Sequence, residues 1–238
     1  VETINGIKKK DLHNFYKSHY LSNELSIVIV GDLSKKDAKN IGYKISQGFP
    51  ENRKTLSIPR INFTNAKDIR ISHPAKQAHL YYGAPIVKRG DPDFLALYLG
   101  NYILGGGGFV SRLTQEIRED RGLAYSVYSY FMPLIETGPF QIGIQTKKSQ
   151  VKQAKELIQQ TVKEFIKDGP TSQELRRAKD FMIGGFPLRL DSNKKILEYV
   201  SMMAFYKYPL DYLETFTTKI DKITAKEIKS AFQRRVDM

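Results

Sequence analysis

Cysteine is absent from this chain of 238 residues. Disulfides, thiolate metal sites and a cysteine nucleophile are thereby excluded. Tryptophan is absent too, and the only histidines are His13, His19, His73 and His79. A zinc hydrolase needs imidazoles and a carboxylate that converge on the metal, and a second carboxylate to activate water. No His-x-x-Glu-His segment occurs. His13 and His19 are six residues apart, a poor fit to one helical face. His73 and His79 flank Pro74 on two predicted strands. All four read as ordinary surface or core histidines. A Gly-x-Ser-x-Gly nucleophile elbow is also missing.

Long hydrophobic runs are scarce. The longest stretch without charge, 94–111, has the length of a membrane span. Asn101 interrupts it and Gly105–Gly108 close it, so only 94–104 is richly apolar and suits a buried helix. The polar opening Val1-Glu2-Thr3 is not that of a signal peptide. Acids are the rarer charge, 25 against 38 Lys and Arg, for a net charge of +13. Such a balance favours contact with nucleic acid, anionic membrane or acidic partners. The bases are scattered, as in Lys8–Lys10, Lys35-Lys36, Lys147-Lys148, Arg176-Arg177, Lys194-Lys195 and Arg234-Arg235. They read as solvated helix faces, which leaves a nucleic-acid-binding protein as a distant alternative.

What is present supports a packed core: 41% hydrophobic and 11% aromatic residues. The length holds one large domain, or one domain and part of another. Residues 8–20 carry Leu12, Phe15, Tyr16 and Tyr20 at helical spacing. Leu25–Val30, closed by Gly31-Asp32, reads as a buried strand. Ser34-x-x-Asp37 opens a helix with Ala38, Ile41, Ile45 and Phe49. Pro50 to Asn65 reads as a linker. Asp68–His73 and Gln77–Ala84 are predicted strands. Asp91-Pro92 places a cap and a first-turn proline, predicting a helix to about Leu104. After the four glycines, a second helix is expected from Phe109 to about Asp120. Tyr125–Phe131 and Phe140–Gln145 read as a hairpin across Pro133–Pro139. A long amphipathic helix follows, Ser149–Lys167, ending at Gly169-Pro170. Thr171-x-x-Glu174 and Thr224-x-x-Glu227 are capping boxes for two more helices. Gly184-Gly185 and Pro187 weaken the first of these, and Lys194–Tyr206 continues helical.

An internal repeat aligns Ile4-Asn5-Gly6-Ile7 with Ile220-Asp221-Lys222-Ile223. Leu12 then falls on Ile228, Phe15-Tyr16 on Ala231-Phe232, and Tyr20 on Val236. If the repeat is real, two homologous units exist and the chain is a fragment of something longer.

Two constellations could carry function. Gly105, Gly106, Gly107 and Gly108 could cradle an anion, since glycine-rich turns before a helix present amide groups. No Gly-Lys-Ser/Thr follows, however, and a helix precedes the run where a phosphate loop needs a strand. The structural alternative is a hinge needing positive φ or close backbone packing. Arg118 and Tyr125 flank a predicted helix-to-strand turn at Gly122. A guanidinium and a phenol there can both donate hydrogen bonds to a peptide carbonyl.

The run Ile103-Leu104-Gly105-Gly106-Gly107-Gly108, Ser111-Arg112-Leu113 and Ile117 to Val127 (IREDRGLAYSV) resembles the second half of pitrilysin/insulinase and mitochondrial-processing-peptidase zinc metallopeptidases. Phe15-Tyr16-x-x-x-Tyr20 and Ile29-Val30-Gly31-Asp32 resemble the close of that family's first domain. Pro85, and Asp91 through Val127, resemble the start of its second domain, and Thr171–Lys179 its T-x-x-E-L-x-x-A-K helix. The resemblance implies an α+β fold: helices packed on a mixed or antiparallel sheet, in a metalloenzyme processing-peptidase-like (LuxS/MPP-like) domain. It divides the chain into the end of a first domain (1–50), a linker (51–66) and a second, non-zinc domain (67–238) lacking its last strand. It implies a non-catalytic half that binds unfolded peptide, with Arg118 and Tyr125 as substrate-binding, oxyanion-supporting residues. Gly105–Gly108 would be a short substrate loop. No metal is expected in this chain. Zinc would come from a homologous domain or subunit, either a separate partner or sequence upstream of Val1. The chain by itself is expected to be inactive. A scaffold with a peptidase fold and no proteolytic role is the alternative. A periplasmic or cell-envelope location is slightly favoured over cytoplasm or mitochondrial matrix.

Overall fold

A computed structural model describes residues 2–50, 57–62 and 65–236. The linker positions 51–56 and 63–64 lie outside the described residues. The chain forms two compact units: Val1–Pro59 with Leu188–Pro209, and Arg60–Pro187 with Leu210–Met238.

The first unit is helical. It holds α1 (Glu2–Asn5), α2 (Lys9–His19), α3 (Lys35–Ser46) and α8 (Asn193–Tyr206). Ser34 caps α3 as its spacing requires: its Oγ accepts from the Asp37 amide at 3.1 Å. The Tyr16 hydroxyl donates to the Gly48 carbonyl at 3.1 Å, tying α2 to the end of α3. Leu25–Val30, expected as a strand, belongs to no sheet among the described residues. Its residues are mostly half-buried. A strand is defined by its neighbour, and here no second strand pairs with it.

The second unit sets helices on one sheet of three antiparallel strands. These are β1 (Gln77–Val87), β2 (Ala124–Phe131) and β3 (Gly138–Lys147), in the order β1-β3-β2. Asp68–His73, the other expected strand, is unpaired and exposed. Its alternation of Ile69 and Ile71 with polar residues fits a strand, but no ladder bonds form. Alternate residues point to opposite faces. Leu80, Ile144 and Val127 align on the inner face, as do Ala84, Phe140 and Phe131. Phe131 stacks on Phe140 at 4.5 Å and meets Phe232 edge-on at 6.1 Å.

The helices of this unit are α4 (Phe94–Asn101), α5 (Arg112–Thr114), α6 (Val151–Asp168), α7 (Ser172–Gly184), α9 (Tyr212–Lys222) and α10 (Ala225–Arg235), of which α4, α5 and α6 lie against the strands and α7 and α9 pack on α4. Both predicted capping boxes form: Thr171 with Glu174, and Thr224 with Glu227. α10 packs on α4 and α6, and Gly100 lets it come close. A methyl group at Gly100 would stand 2.5 Å from a Phe232 ring carbon and 2.7 Å from Ile228. α4 begins at Phe94, two residues after Pro92, because the Asp91 carboxylate accepts from the Asp93 amide and holds a turn ahead of the helix.

The aligned repeat has a structural counterpart. Ile228, Ala231 and Phe232 of α10 and Val236 just after it are buried. Their counterparts Leu12, Phe15, Tyr16 and Tyr20 are exposed, between 39% and 63%. The same pattern makes a core in one unit and a bare apolar face in the other.

Candidate functional site

Half of the glycine run is wound into helix: Gly105 and Gly106 close a π-turn, Gly107 is a bend and Gly108 opens a short 3-10 turn. Tyr102–Gly106 is a π-helical turn that continues α4, and Gln115–Glu119 is a second one that continues α5. Each expected helix around the glycines therefore ends in wide winding, a feature common near functional sites. Gly105 is buried beneath β2. A Cβ there would meet the Ser129 hydroxyl, Leu113 Cδ1 at 2.8 Å and the Ser129 amide nitrogen at 2.9 Å. Beside it, Asn101 and Ser129 are buried and bonded reciprocally. The Asn101 amide donates to the Ser129 carbonyl at 3.1 Å, and the Ser129 hydroxyl donates to Asn101 Oδ1 at 2.7 Å. Gly106, Gly107 and Gly108 lie nearer the surface. Gly108 has φ +60° and open space around it, and this turn presents Phe109 to solvent.

Arg118 lies in the second π-turn and Tyr125 near the start of β2. The structure brings them together. The Arg118 guanidinium carbon sits 5.4 Å from the Tyr125 ring centroid and 4.5 Å from that of Phe109. Two aromatic faces thus hold one cation, an arrangement stabilised by the ring quadrupoles. Arg118 Nε lies 3.4 Å from the Glu119 carboxylate. Tyr125 is 83% exposed. Its position follows from a break in the ladder. Ala124 pairs with Thr146 and Ser126 with Gln145, so Tyr125 is an extra residue in a β-bulge. A bulge re-aims a side chain without disturbing the strands beyond it. Phe109 is a site neighbour that sequence reasoning missed; its signal was an aromatic placed directly after the glycines.

Next to this pair lies the outer face of the sheet. His79, Tyr81 and Gly83 of β1 share it with Gln145, Gly143 and Gln141 of β3 and with Ser126, Tyr128 and Tyr130 of β2. The Tyr128 and Tyr130 rings stack at 6.0 Å, and the Tyr130 hydroxyl donates to Gln141 at 2.9 Å.

Behind the site, α5 is anchored by a bidentate pair. Arg112 donates to both Glu174 oxygens at 2.6 and 2.7 Å and to the Gly169 carbonyl at 3.0 Å. Burial pushes the Glu174 carboxyl up, but Arg112 and the Thr171 amide and hydroxyl outweigh it. They hold the group below the ordinary glutamate value. Asp93 behaves alike: burial raises it, and Arg234 and Arg235 pull it down further than that.

Among the described residues no cluster of three or more His, Asp or Glu could hold a metal ion. His13 and His19 are on α2, where His19 stacks on Phe15 at 4.0 Å. His79 is on the outer sheet face and stacks near Tyr81 at 6.3 Å. Zinc therefore does not fit the residues of this site.

The family model for the peptidase M16 inactive domain matches residues 6–182. This chain belongs to that family. Among its relatives is the non-peptidase homolog YmxG of Helicobacter pylori, 32% identical over all of this chain and 55% of its own length. The uncharacterized zinc protease YmxG of Bacillus subtilis is also 32% identical, over 80% of this chain and 46% of its own. The M16 inactive-domain chain thus spans about half the length of these curated relatives. A crystal structure of a peptidase M16 inactive domain from Pseudomonas fluorescens superposes with a TM-score of 0.94 at 35% identity. It covers all of this chain and 57% of the other. A protease structure from Helicobacter pylori, at 17% identity and a TM-score of 0.80, shares the fold. The M16 inactive domain is thus a helix-on-sheet α+β chain of zinc-protease-like proteins. Among its described residues no helix is long and apolar enough to cross a membrane.

Proposed function

We propose that this M16 inactive domain binds an extended peptide and orients it toward a zinc held by another domain or subunit. The observation that carries the reading is the convergence of Arg118 and Tyr125 beside an open sheet face. The guanidinium N–H groups and the phenol O–H can donate to one carbonyl oxygen of a peptide laid across them. Donors fixed in advance at a carbonyl favour the developing oxyanion of hydrolysis over the ground state. Phe109 and the bulge do the fixing. Zinc, when bound in the partner, would activate the attacking water; this chain supplies binding and orientation.

The bare α2 face supports a partner. Its repeat counterpart on α10 is covered by α4 and α6, and a homologous domain offers helices of that kind. One relative's description as a non-peptidase homolog favours a second reading, a scaffold with no proteolytic role.

The deciding assay is peptidase activity with zinc, for the chain alone and mixed with a zinc-bearing homologue from the same source. Activity is expected only in the mixture. Arg118→Ala and Tyr125→Phe should each lower it by about 10- to 1000-fold, the range of a lost oxyanion donor. Silence of the mixture supports the scaffold, and full activity of both variants removes the assigned role.

A further inference from the structure

The outer sheet face has a composition unlike the rest of the chain. Asp and Glu occur nowhere in β1, β2 or β3, although 26% of the chain is charged. Lys147, at the very end of β3, is their one lysine, and they contain no arginine. What the face presents is aromatic and amide. Tyr81 and Tyr128 flank Gly143 from the two neighbouring strands. The Tyr128 ring leans over that glycine, where a Cβ would stand 2.5 Å from its hydroxyl oxygen. Tyr81 is 62% exposed, a large apolar ring left in water. Gln145 bonds Gln77 side chain to side chain, and Tyr130 bonds Gln141, so the amides are partly satisfied within the face. The charged groups toward the Tyr125 end are Arg118, which Glu119 meets at its Nε, and Lys147, so cations outnumber the one carboxylate.

We infer that this face selects its peptide: it takes extended segments that are neutral or acidic and carry aromatic or large aliphatic side chains at alternate positions. The inference rests on the peptide-binding reading above and deepens it. Three observations support it. Same-face residues of an extended peptide repeat about every 6.7 Å, matching the rows set by Gly83, Tyr81 and His79. Ring faces and edges attract apolar and aromatic side chains. A lysine or arginine of the peptide would meet no carboxylate from the strands, but would meet Arg118 and Lys147, whereas an acidic residue would find both cations.

The test is fluorescence anisotropy with three labelled peptides of equal length and the intact chain. One alternates Phe and Ser, one replaces every second Phe with Glu, and one replaces every second Phe with Lys, so that the charges share the face of the rings. The Phe/Ser and Phe/Glu peptides should bind roughly five- to tenfold more tightly than the Phe/Lys peptide at low salt, from about 1 kcal/mol of charge and ring contacts. Tyr81→Ala with Tyr128→Ala should weaken the first two severalfold. Gln141→Glu keeps an acceptor for the Tyr130 hydroxyl, and should raise the affinity of the Phe/Lys peptide toward the others. Equal binding of all three peptides overturns the selectivity, as does tighter binding of the Phe/Lys peptide. Binding untouched by the tyrosine variants overturns the location. Binding of no peptide overturns the inference as a whole, and the mixing assay then judges the peptidase reading separately.

Discussion

Gly105→Ala should destabilise the second unit much more than Gly108→Ala, although both change a glycine of one run. At Gly105 the added methyl meets Leu113 Cδ1 at 2.8 Å and the Ser129 amide nitrogen at 2.9 Å. The second contact is with backbone in a sheet, so β2 or the π-turn must move. Overpacking of this kind costs about 1–3 kcal/mol. Movement of β2 also disturbs the buried Asn101–Ser129 pair, and an unsatisfied buried group adds roughly 1 kcal/mol or more. A total of about 2–4 kcal/mol lowers the melting temperature by roughly 5–15 °C in a chain of this size. At Gly108 nothing stands within 4 Å, and the cost is that of φ +60° alone. That is about 1 kcal/mol, or a few degrees. Thermal unfolding of the two variants and the parent, followed by far-UV circular dichroism, measures both. Equal shifts, or a Gly105→Ala variant that melts with the parent, would refute the claim that close approach to β2 is what requires glycine there.

Other expectations follow from contacts already described. Arg112→Met removes the bidentate partner of Glu174 and should cost about 2 kcal/mol, less than a fully buried pair because both side chains are partly exposed. Because the folded Glu174 carboxyl is held low, the pair stabilises fully above the ordinary glutamate value and fades as pH falls through the lower folded value. The stability gap between parent and Arg112→Met in urea unfolding should therefore narrow in acid; a gap that widens contradicts the assignment. Phe109→Ala should leave the melting point within a degree or two, as surface changes do. It should still lower turnover in the mixed assay by loosening Arg118, and unchanged turnover removes its positioning role. Leu12→Ser with Phe15→Ser should leave chain stability nearly unchanged while weakening association with a zinc-bearing homologue, read by analytical ultracentrifugation. Ile228→Ser, at the buried counterpart, should unfold the second unit more easily by about 2–5 kcal/mol.

Features whose causes are local were legible in the sequence. The two capping boxes, the β2–β3 hairpin and the stop at Gly169 depend on residues within a few positions of each other. The two misread strands, Leu25–Val30 and Asp68–His73, have suitable side chains, but pairing is decided by another segment. The π-turns escaped because wide winding leaves the apolar pattern of a helix nearly intact over so few residues. α9 was missed although Tyr212, Phe216 and Ile220 mark a buried face at four-residue spacing. That Arg118 and Tyr125 meet was legible through family resemblance. Phe109 and the Arg112–Glu174 tie were not, because each depends on how separate elements meet.

A sheet audits its residues by parity. Shift one, and everything beyond it lands on the wrong face. Tyr125 is exempt, since the bulge inserts it between two positions that pair correctly without it. The fold would accept almost any side chain there, or the loss of that residue, with the strands still in register. What Tyr125 touches, the Arg118 guanidinium, lies outside the sheet. The bulge thus frees the Tyr125 side chain from the register that fixes the residues on either side of it.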